Sequence, residues 1–532
     1  MEGTLKHRLL LLIAISVWML SCTLPSSPFV ATPESVTEQA LLTHTPTMPP
    51  QPTTTPVPTL SPSPPIGLAA FWEYDGLDLF EQAMRPPFTA DVAQFETATR
   101  YWLDLRVDSA ALSLSGTAQI RYTNQEDAPL DEIVVRLLPN LPGFGATMEL
   151  LAVLADGKPV EPVFKYQNSA AYLPLQTPLE PGQAIVLTLS YESTLPQAAT
   201  AGYAQYGYID RVLALPAAYP LIPVYDDEGW NVELAPSYGD PTFSDTALYL
   251  ARITLPGEMA VAASGAIVET KANPDGTATH LAASGPMRDF NVVASADYQV
   301  VAQNVDDVRV SAYYRTGDDA GGQLALDYAV YALRYLQTLI GPYPFSELDV
   351  MATPTEAGGI EYPGLIVVAQ DLYDRSGGYF ELVTAHEVIH QWWYSLVGND
   401  QLDEPWLDEA LTQYTTLLYF EERYGDEVAQ EILRDSFEGW YKSLPVEEQG
   451  IQIGRPVAGY SDHQYGPIVY GKGPVFFHAL RGQIGDAAFF RLLKAYFEQY
   501  RYGIAYPADL LTLAEQVSGQ ELDALYAEWV GE

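Results

Sequence analysis

The residues best equipped for chemistry are His386, Glu387 and His390 in the run His386-Glu387-Val388-Ile389-His390, with Glu409 downstream in Trp406-Leu407-Asp408-Glu409-Ala410. On a helix, histidines at i and i+4 project from one face one turn apart. Such a pair presents two imidazoles to a single metal ion, and Glu387 points to the same side. Catalytic zinc usually takes three protein ligands and keeps a fourth position for water, and two His with one Glu is a known set. Glu409 is the natural third ligand. The spacing therefore implies a hydrolase with one Zn2+ per chain.

These side chains need two rigid helices behind them. For the second, Asp403 is the expected cap, Pro405 sits in the first turn and Gly425 marks the end, so Glu409 falls in the first two turns. Upstream, residues 324–340 read as a helix stopped by Gly341 and Pro342, and residues 348–352 and 365–369 as short strands around a Gly-rich turn. Earlier still the period is two: Leu103, Leu105 and Val107 alternate with polar residues, as do Ile185, Leu187, Leu189 and Tyr191. Asp156-Gly157 and Pro181-Gly182 supply turns. The expected architecture is multidomain α+β, with an all-β sandwich over residues 69–303 and a mainly helical zinc domain over 304–532. The boundary is placed near Asn304.

With 532 residues the chain suggests two or three domains, and 48% hydrophobic residues suffice for their cores. A formal net charge of -42 argues against nucleic acid as a partner. Asp226-Asp227-Glu228 reads as a solvated acidic loop rather than a calcium site. The one cysteine, Cys22, excludes disulfides and thiolate metal ligands. Lys6, His7 and Arg8 precede an apolar stretch over residues 9–20, and Ser21-Cys22 follows, which describes a secretory signal over residues 1–22. Its end resembles a bacterial lipoprotein cleavage site, with Met19 where Leu is usual, so Cys22 is the expected lipidation site. Residues 23–68 are rich in Pro, Thr and Ser and read as an extended tether, reaching on the order of 140 Å at about 3.1 Å per residue. The expected location is extracytoplasmic, anchored by lipid to a bacterial membrane; plain secretion is the alternative.

Two further motifs flank the zinc pair: Gly358-Gly359-Ile360-Glu361-Tyr362 before it, and Tyr470-Gly471-Lys472-Gly473 after Glu409. Together with Gly341-Pro342-Tyr343-Pro344-Phe345, these motifs resemble the aminopeptidase N-like gluzincins, the family that includes the leukotriene-hydrolase branch. The resemblance runs from about Ala69 to the C-terminus and implies a thermolysin-like catalytic domain. It implies that His386, His390 and Glu409 hold zinc and that Glu387 is the general base. Tyr470 would then hydrogen-bond the developing oxyanion, with Tyr465 where some members carry a second tyrosine. Glu361 would bind the free α-ammonium of a peptide substrate, and Gly358 and Gly359, having no side chains, would let its backbone lie close.

Three departures bear on specificity. Ile360 and Tyr362 replace the family's usual Met and Asn. The β-domain Thr-Gln-Phe-Glu signature, a second amine anchor in many relatives, is not found. The sequence reads as a short form lacking the C-terminal helical domain, which suggests an open cleft. The leading expectation is a zinc aminopeptidase. The alternatives are a related zinc hydrolase or endopeptidase with no strict need for a free N-terminus, and a catalytically dead tethered binding protein; Glu387 and Tyr470 argue against the last.

Overall fold

The computed structural model describes residues 68–531 apart from 199–205, 237 and 375–376. The expected signal, Cys22 and most of the tether lie outside the described residues. No helix among the described residues is long and apolar enough to cross a membrane.

The alternating segments form strands. Arg100–Asp108, Ser113–Thr123 and Ala184–Thr194 lie together near the middle of an eight-stranded sheet, antiparallel except where Arg100–Asp108 runs parallel to Leu248–Pro256. Its inward residues Leu103, Leu105, Ile120, Leu187 and Leu189 share one core with Ile133, Val135 and Leu173 of a three-stranded sheet. Leu213, Leu215 and Val292 of a four-stranded sheet complete that core. The sandwich follows from period-two burial, since each strand hides one face and wets the other. At the turn between Met148–Ala155 and Lys158–Pro159, Asp156 and Gly157 have φ of 47° and 74°, the positive pair that a tight two-residue hairpin requires.

The second unit opens on a five-stranded sheet ordered Tyr298–Val305, Val308–Arg315, Glu347–Thr353, Leu365–Ala369 and Gly359–Ile360. The helix Asp319–Leu339 makes the crossover between the parallel strands Val308–Arg315 and Glu347–Thr353. Asn304 therefore lies inside the first strand of this sheet, and the boundary moves to before Tyr298. The polar stretch around Asn304 consists of wetted positions of an edge strand, where Gln299, Ala302, Gln303 and Asn304 are not buried.

Helices Gly378–Ile389 and Glu409–Tyr424 then pack face to face, with helices Gly473–Ile484 and Asp486–Tyr500 behind the second. The second helix begins at Glu409, later than its sequence suggests. Asp408, not Asp403, is its cap, with Oδ1 accepting from Glu409 N at 2.7 Å. Asp403 and Pro405 belong to the preceding turns, where Asp400 Oδ1 accepts from Leu402 N at 2.9 Å and Asp403 N at 3.0 Å. Gly425 ends the helix as expected, at φ 88°.

Arg288 ties the two units together. Its guanidinium, buried in the β unit, donates to the carbonyls of Tyr394 (2.7 Å) and Gly503 across the boundary and of Ser244 (3.2 Å) on its own side.

Candidate metal centre and cleft

His386 and His390 leave the helix Gly378–Ile389 on one face, and the first residue of the next helix, Glu409, meets them. The Nε2 atoms of the two histidines are 3.1 Å apart, and Glu409 Oε2 lies 3.3 Å from His386 Nε2 and 3.2 Å from His390 Nε2. Ligands about 2.0–2.1 Å from a common centre in a tetrahedral arrangement stand roughly 3.3–3.4 Å from one another. The three atoms thus have the edge lengths of a zinc tetrahedron. Tautomer agrees: His390 Nδ1 donates to Trp393 O at 2.9 Å, which leaves the Nε2 lone pair for a metal. The donor set and its geometry fit zinc.

That carbonyl is held by a strained turn. Tyr394 has φ 111°, a conformation costly for a side-chain-bearing residue. Its N–H donates to Val397 O at 2.8 Å, its hydroxyl to the buried Asp289, and its carbonyl accepts from Arg288. The β unit therefore helps orient a metal ligand.

Around the triad stand more buried carboxylates than the triad needs. Glu361 and Asp240 bring one oxygen each to within 4.8 Å of a Glu409 oxygen, and Glu361, His390 and Asp408 form a second such group. Burial, reinforced by the charges of Glu361 and Glu409, holds Glu387 well above the usual carboxylate range despite the opposing pull of His390. Asp240 is raised in the same way by burial, then by Glu361 and Glu409. Burial also works against ionised Glu409, yet His390 and His386 outweigh it and hold that carboxyl well below its ordinary value. Such a concentration of acidic groups calls for compensating positive charge, which a metal held by the triad supplies in part.

The catalytic, metal-binding and substrate-binding residues expected from the sequence lie together at this place. Gly358, Gly359, Glu361, Glu387, Tyr465 and Tyr470 all line one cavity of about 350 Å³ together with the triad. Tyr470 sits in a π-helical stretch, Pro467–Lys472, and its hydroxyl donates to Glu409 Oε1 at 2.5 Å. The Tyr465 ring packs edge-on against Tyr470 at 5.9 Å and, tilted, against Tyr238 of the β unit at 5.3 Å. Ile360 is buried in a small apolar cluster with Met351 and Leu365, Tyr362 packs half-buried against it, and neither lines the cavity.

A Cβ on Gly359 would come within 2.5 Å of the Glu387 side chain, so the absent side chain there makes room for Glu387. A Cβ on Gly358 would stand 3.1 Å from Tyr379 Oη. The order along the cleft follows: Gly358 faces Tyr379 and Val383, Gly359 faces Glu387, and Glu361 lies beyond, near His390 and Asp408.

Two residues escaped the sequence reading. Asp240 reaches the site from the long loop of the β unit between Gly229–Trp230 and Leu248–Pro256. Its only local signature is an Asp-Pro in a Pro- and Gly-containing loop, which is ordinary turn chemistry. Gln401, from the turns before the second helix, donates through Nε2 to Glu361 Oε1 at 3.1 Å and to Asp408 Oδ2 at 2.8 Å. No spacing rule marks it.

Residues 324–529 match the peptidase family M1 domain. Aminopeptidase M1-A of Oryza sativa subsp. japonica is 27% identical over 308 residues, 55% of this chain and 35% of that protein. Aminopeptidase N of Lactococcus lactis subsp. lactis is 29% identical over 226 residues, 39% of this chain and 26% of that protein. The chain thus spans about a third of the length of the first of these relatives, by the 35% covered, and less of the second. An M1 zinc metallopeptidase from Deinococcus radiodurans has a crystal structure that superposes with a TM-score of 0.60 at 23% identity, over 81% of this chain and 93% of that one. A mutant of that enzyme, crystallised with a Tyr-Ser-Ala substrate, gives a TM-score of 0.61 at 22% identity. These superpositions establish a shared two-domain fold.

Proposed function

We propose, for a chain whose residues 324–529 belong to peptidase family M1, that it is a zinc-dependent aminopeptidase releasing N-terminal residues from peptides. The observation that carries this reading is a pair of carboxylates, those of the buried Glu361 and of Asp240, set beside the metal triad in the cleft. A peptide ammonium placed there gains charge-assisted hydrogen bonds and relieves the repulsion between the two acids. Along a peptide main chain, only the N-terminus carries an ammonium.

Bound by His386, His390 and Glu409, zinc supplies a Lewis acid that polarises a carbonyl and acidifies water. Glu387 lies on the same helical face, where its carboxylate takes a proton from the attacking water and delivers it to the leaving amine. Its neighbour Gly359 keeps that carboxylate close to the strand along which the substrate runs. Tyr470 exchanges its hydrogen bond to Glu409 Oε1 for one to the oxyanion as charge develops there, a contact that strengthens in the transition state. The leaving side of the bond runs past Gly358 towards Tyr379 and Val383.

The attachment of this activity to a membrane through lipidated Cys22, on the outer face of a bacterial cell, belongs to the same proposal. Its support is the sequence alone: a basic start, an apolar stretch and Ser21-Cys22, followed by a Pro- and Thr-rich spacer.

The test is one peptide with and without an N-terminal acetyl group, given to protein of known zinc content. Hydrolysis should need about one zinc per chain and should favour the free amine by roughly tenfold to a hundredfold, the equivalent of a charge-assisted hydrogen bond. Equal rates on both peptides would transfer the assignment to a zinc endopeptidase.

A further inference from the structure

We infer that Gln401 is a positioning residue that fixes the distance between the ammonium site and the metal site, and so sets the cut one residue from the N-terminus. The inference rests on the aminopeptidase reading and adds to it the device that holds the register.

Gln401 is 2% exposed, and its Nε2 lies between two carboxylates, 3.1 Å from Glu361 Oε1 and 2.8 Å from Asp408 Oδ2. With both carboxylates ionised, the NH2 end of the amide is the end that satisfies two acceptors. Asp408 completes the connection: its other oxygen accepts from Glu409 N at 2.7 Å, capping the helix at the residue that supplies the third metal ligand. A continuous path thus runs from Glu361 through Gln401 and Asp408 to Glu409, every member of it buried.

A second glutamine grips the backbone of the same anchor. Gln391, next to the metal ligand His390, donates through Nε2 to Glu361 O at 3.3 Å and to Tyr362 O at 3.2 Å, and accepts from Gly364 N at 2.8 Å. Glu361 is therefore tied by its main chain to the end of one site helix and by its carboxylate to the start of the other. Both metal-bearing helices share one amine anchor.

The residue type matters at 401. A lysine or arginine would pair with Glu361 and cancel the charge that an ammonium recognises. A leucine would leave the carboxylates of Glu361 and Asp408 facing each other without a donor between them, and they would move apart. A neutral double donor holds both acids in place and leaves their charge intact. Site geometry of this kind must hold to within about half an ångström to remain productive.

The experiment compares wild type with Gln401→Leu, each zinc-loaded. Two quantities are read: the ratio of kcat/KM for a free-amine peptide to that for its acetylated form, and the products by mass spectrometry. In Gln401→Leu the ratio should fall by roughly tenfold, the loss of one hydrogen bond to a charged group. Dipeptides should appear beside single amino acids among the earliest products. The same comparison is made without turnover, by calorimetric binding of a free and an acetylated peptide to zinc-loaded protein in a Glu387→Gln background; Gln401→Leu should narrow the difference there too. Gln401→Met, similar in length and lacking donors, serves if the leucine variant does not fold. A wild-type enzyme indifferent to acetylation overturns the aminopeptidase reading. A wild type that prefers the free amine, with a Gln401 variant that keeps the same ratio and the same single-residue products, overturns the ruler alone.

Discussion

Replacing Asp240 by asparagine tests whether the β unit supplies half of the ammonium site. Asp240 brings a carboxylate oxygen to within 4.8 Å of oxygens of Glu361 and Glu409, so an ammonium seated against Glu361 lies within hydrogen-bond reach of Asp240 as well. Asparagine has nearly the same shape and keeps one acceptor, so the variant loses charge assistance rather than the contact itself. Charge-assisted hydrogen bonds are roughly twice as strong as neutral ones, and at about 1.5–3 kcal/mol for the charged form the loss is about 0.7–1.5 kcal/mol. That converts to roughly threefold to tenfold in kcat/KM. The loss should fall on free-amine peptides alone, because an acetylated N-terminus never used the charge. The assay is kcat/KM for one peptide in both forms, with zinc content measured on the same samples, since Asp240 also stands near the metal ligand Glu409. A drop of equal size for both peptides would mean that Asp240 serves the metal or the fold, and an unchanged ratio would remove it from the ammonium site.

Glu387→Gln should retain zinc at about one per chain while turnover collapses, measured by metal analysis beside a peptide-release assay; near-normal turnover would refute the base assignment. Tyr470→Phe should lower kcat by roughly 10²–10³, the effect of removing one oxyanion donor, and a smaller effect on kcat than on KM would place Tyr470 in binding instead. Burial drives the Asp400 carboxyl up to about 7, with the nearby charges of Asp403 and Glu233 adding to it against the two backbone N–H groups that its side chain accepts. Its folded value thus lies above its unfolded one, so its ionisation costs stability that is absent below about pH 4 and fully felt above about pH 7. Asp400→Asn keeps the acceptor for Leu402 N and Asp403 N and should be more stable than wild type at pH 8 by about 2–4 kcal/mol, with the gain vanishing by pH 4; thermal melts across pH check this, and a pH-independent difference would refute it. Cys22→Ala should move the protein from membranes to the soluble fraction, and unchanged membrane association would point to another attachment.

What the sequence made legible is what regular geometry repeats. Strands of the β unit showed through alternation, because burying one face of a strand imposes period two, and Leu103, Leu105, Ile185 and Leu187 are buried accordingly. The metal ligands on one helix showed through the i, i+4 spacing, for the same reason. The start of the second helix was misplaced at Asp403 because two acidic residues there can each cap. Asp400 and Asp408 caps both exist, one serving the turns and the other the helix. The domain boundary was misplaced because an edge strand with a wetted face resembles a polar linker.

The residues that stayed hidden share a physical property: each acts across a junction between elements with no fixed sequence separation. Asp240 reaches the metal from the other unit, Gln401 joins a strand to a helix cap, and Arg288 with Asp289 clamps the turn that orients His390. Periodicity reports which face of an element is buried, and motifs report groups that one element holds together. Neither reports which loop of a distant sheet will deliver a carboxylate. In this chain the metal ligands and Glu387 come from two successive helices and Tyr470 from a π-helical stretch, where the sequence displays them. Asp240 and Gln401, which stand beside Glu361 in the site proposed for the substrate ammonium, lie between elements, where only the folded arrangement exposes them.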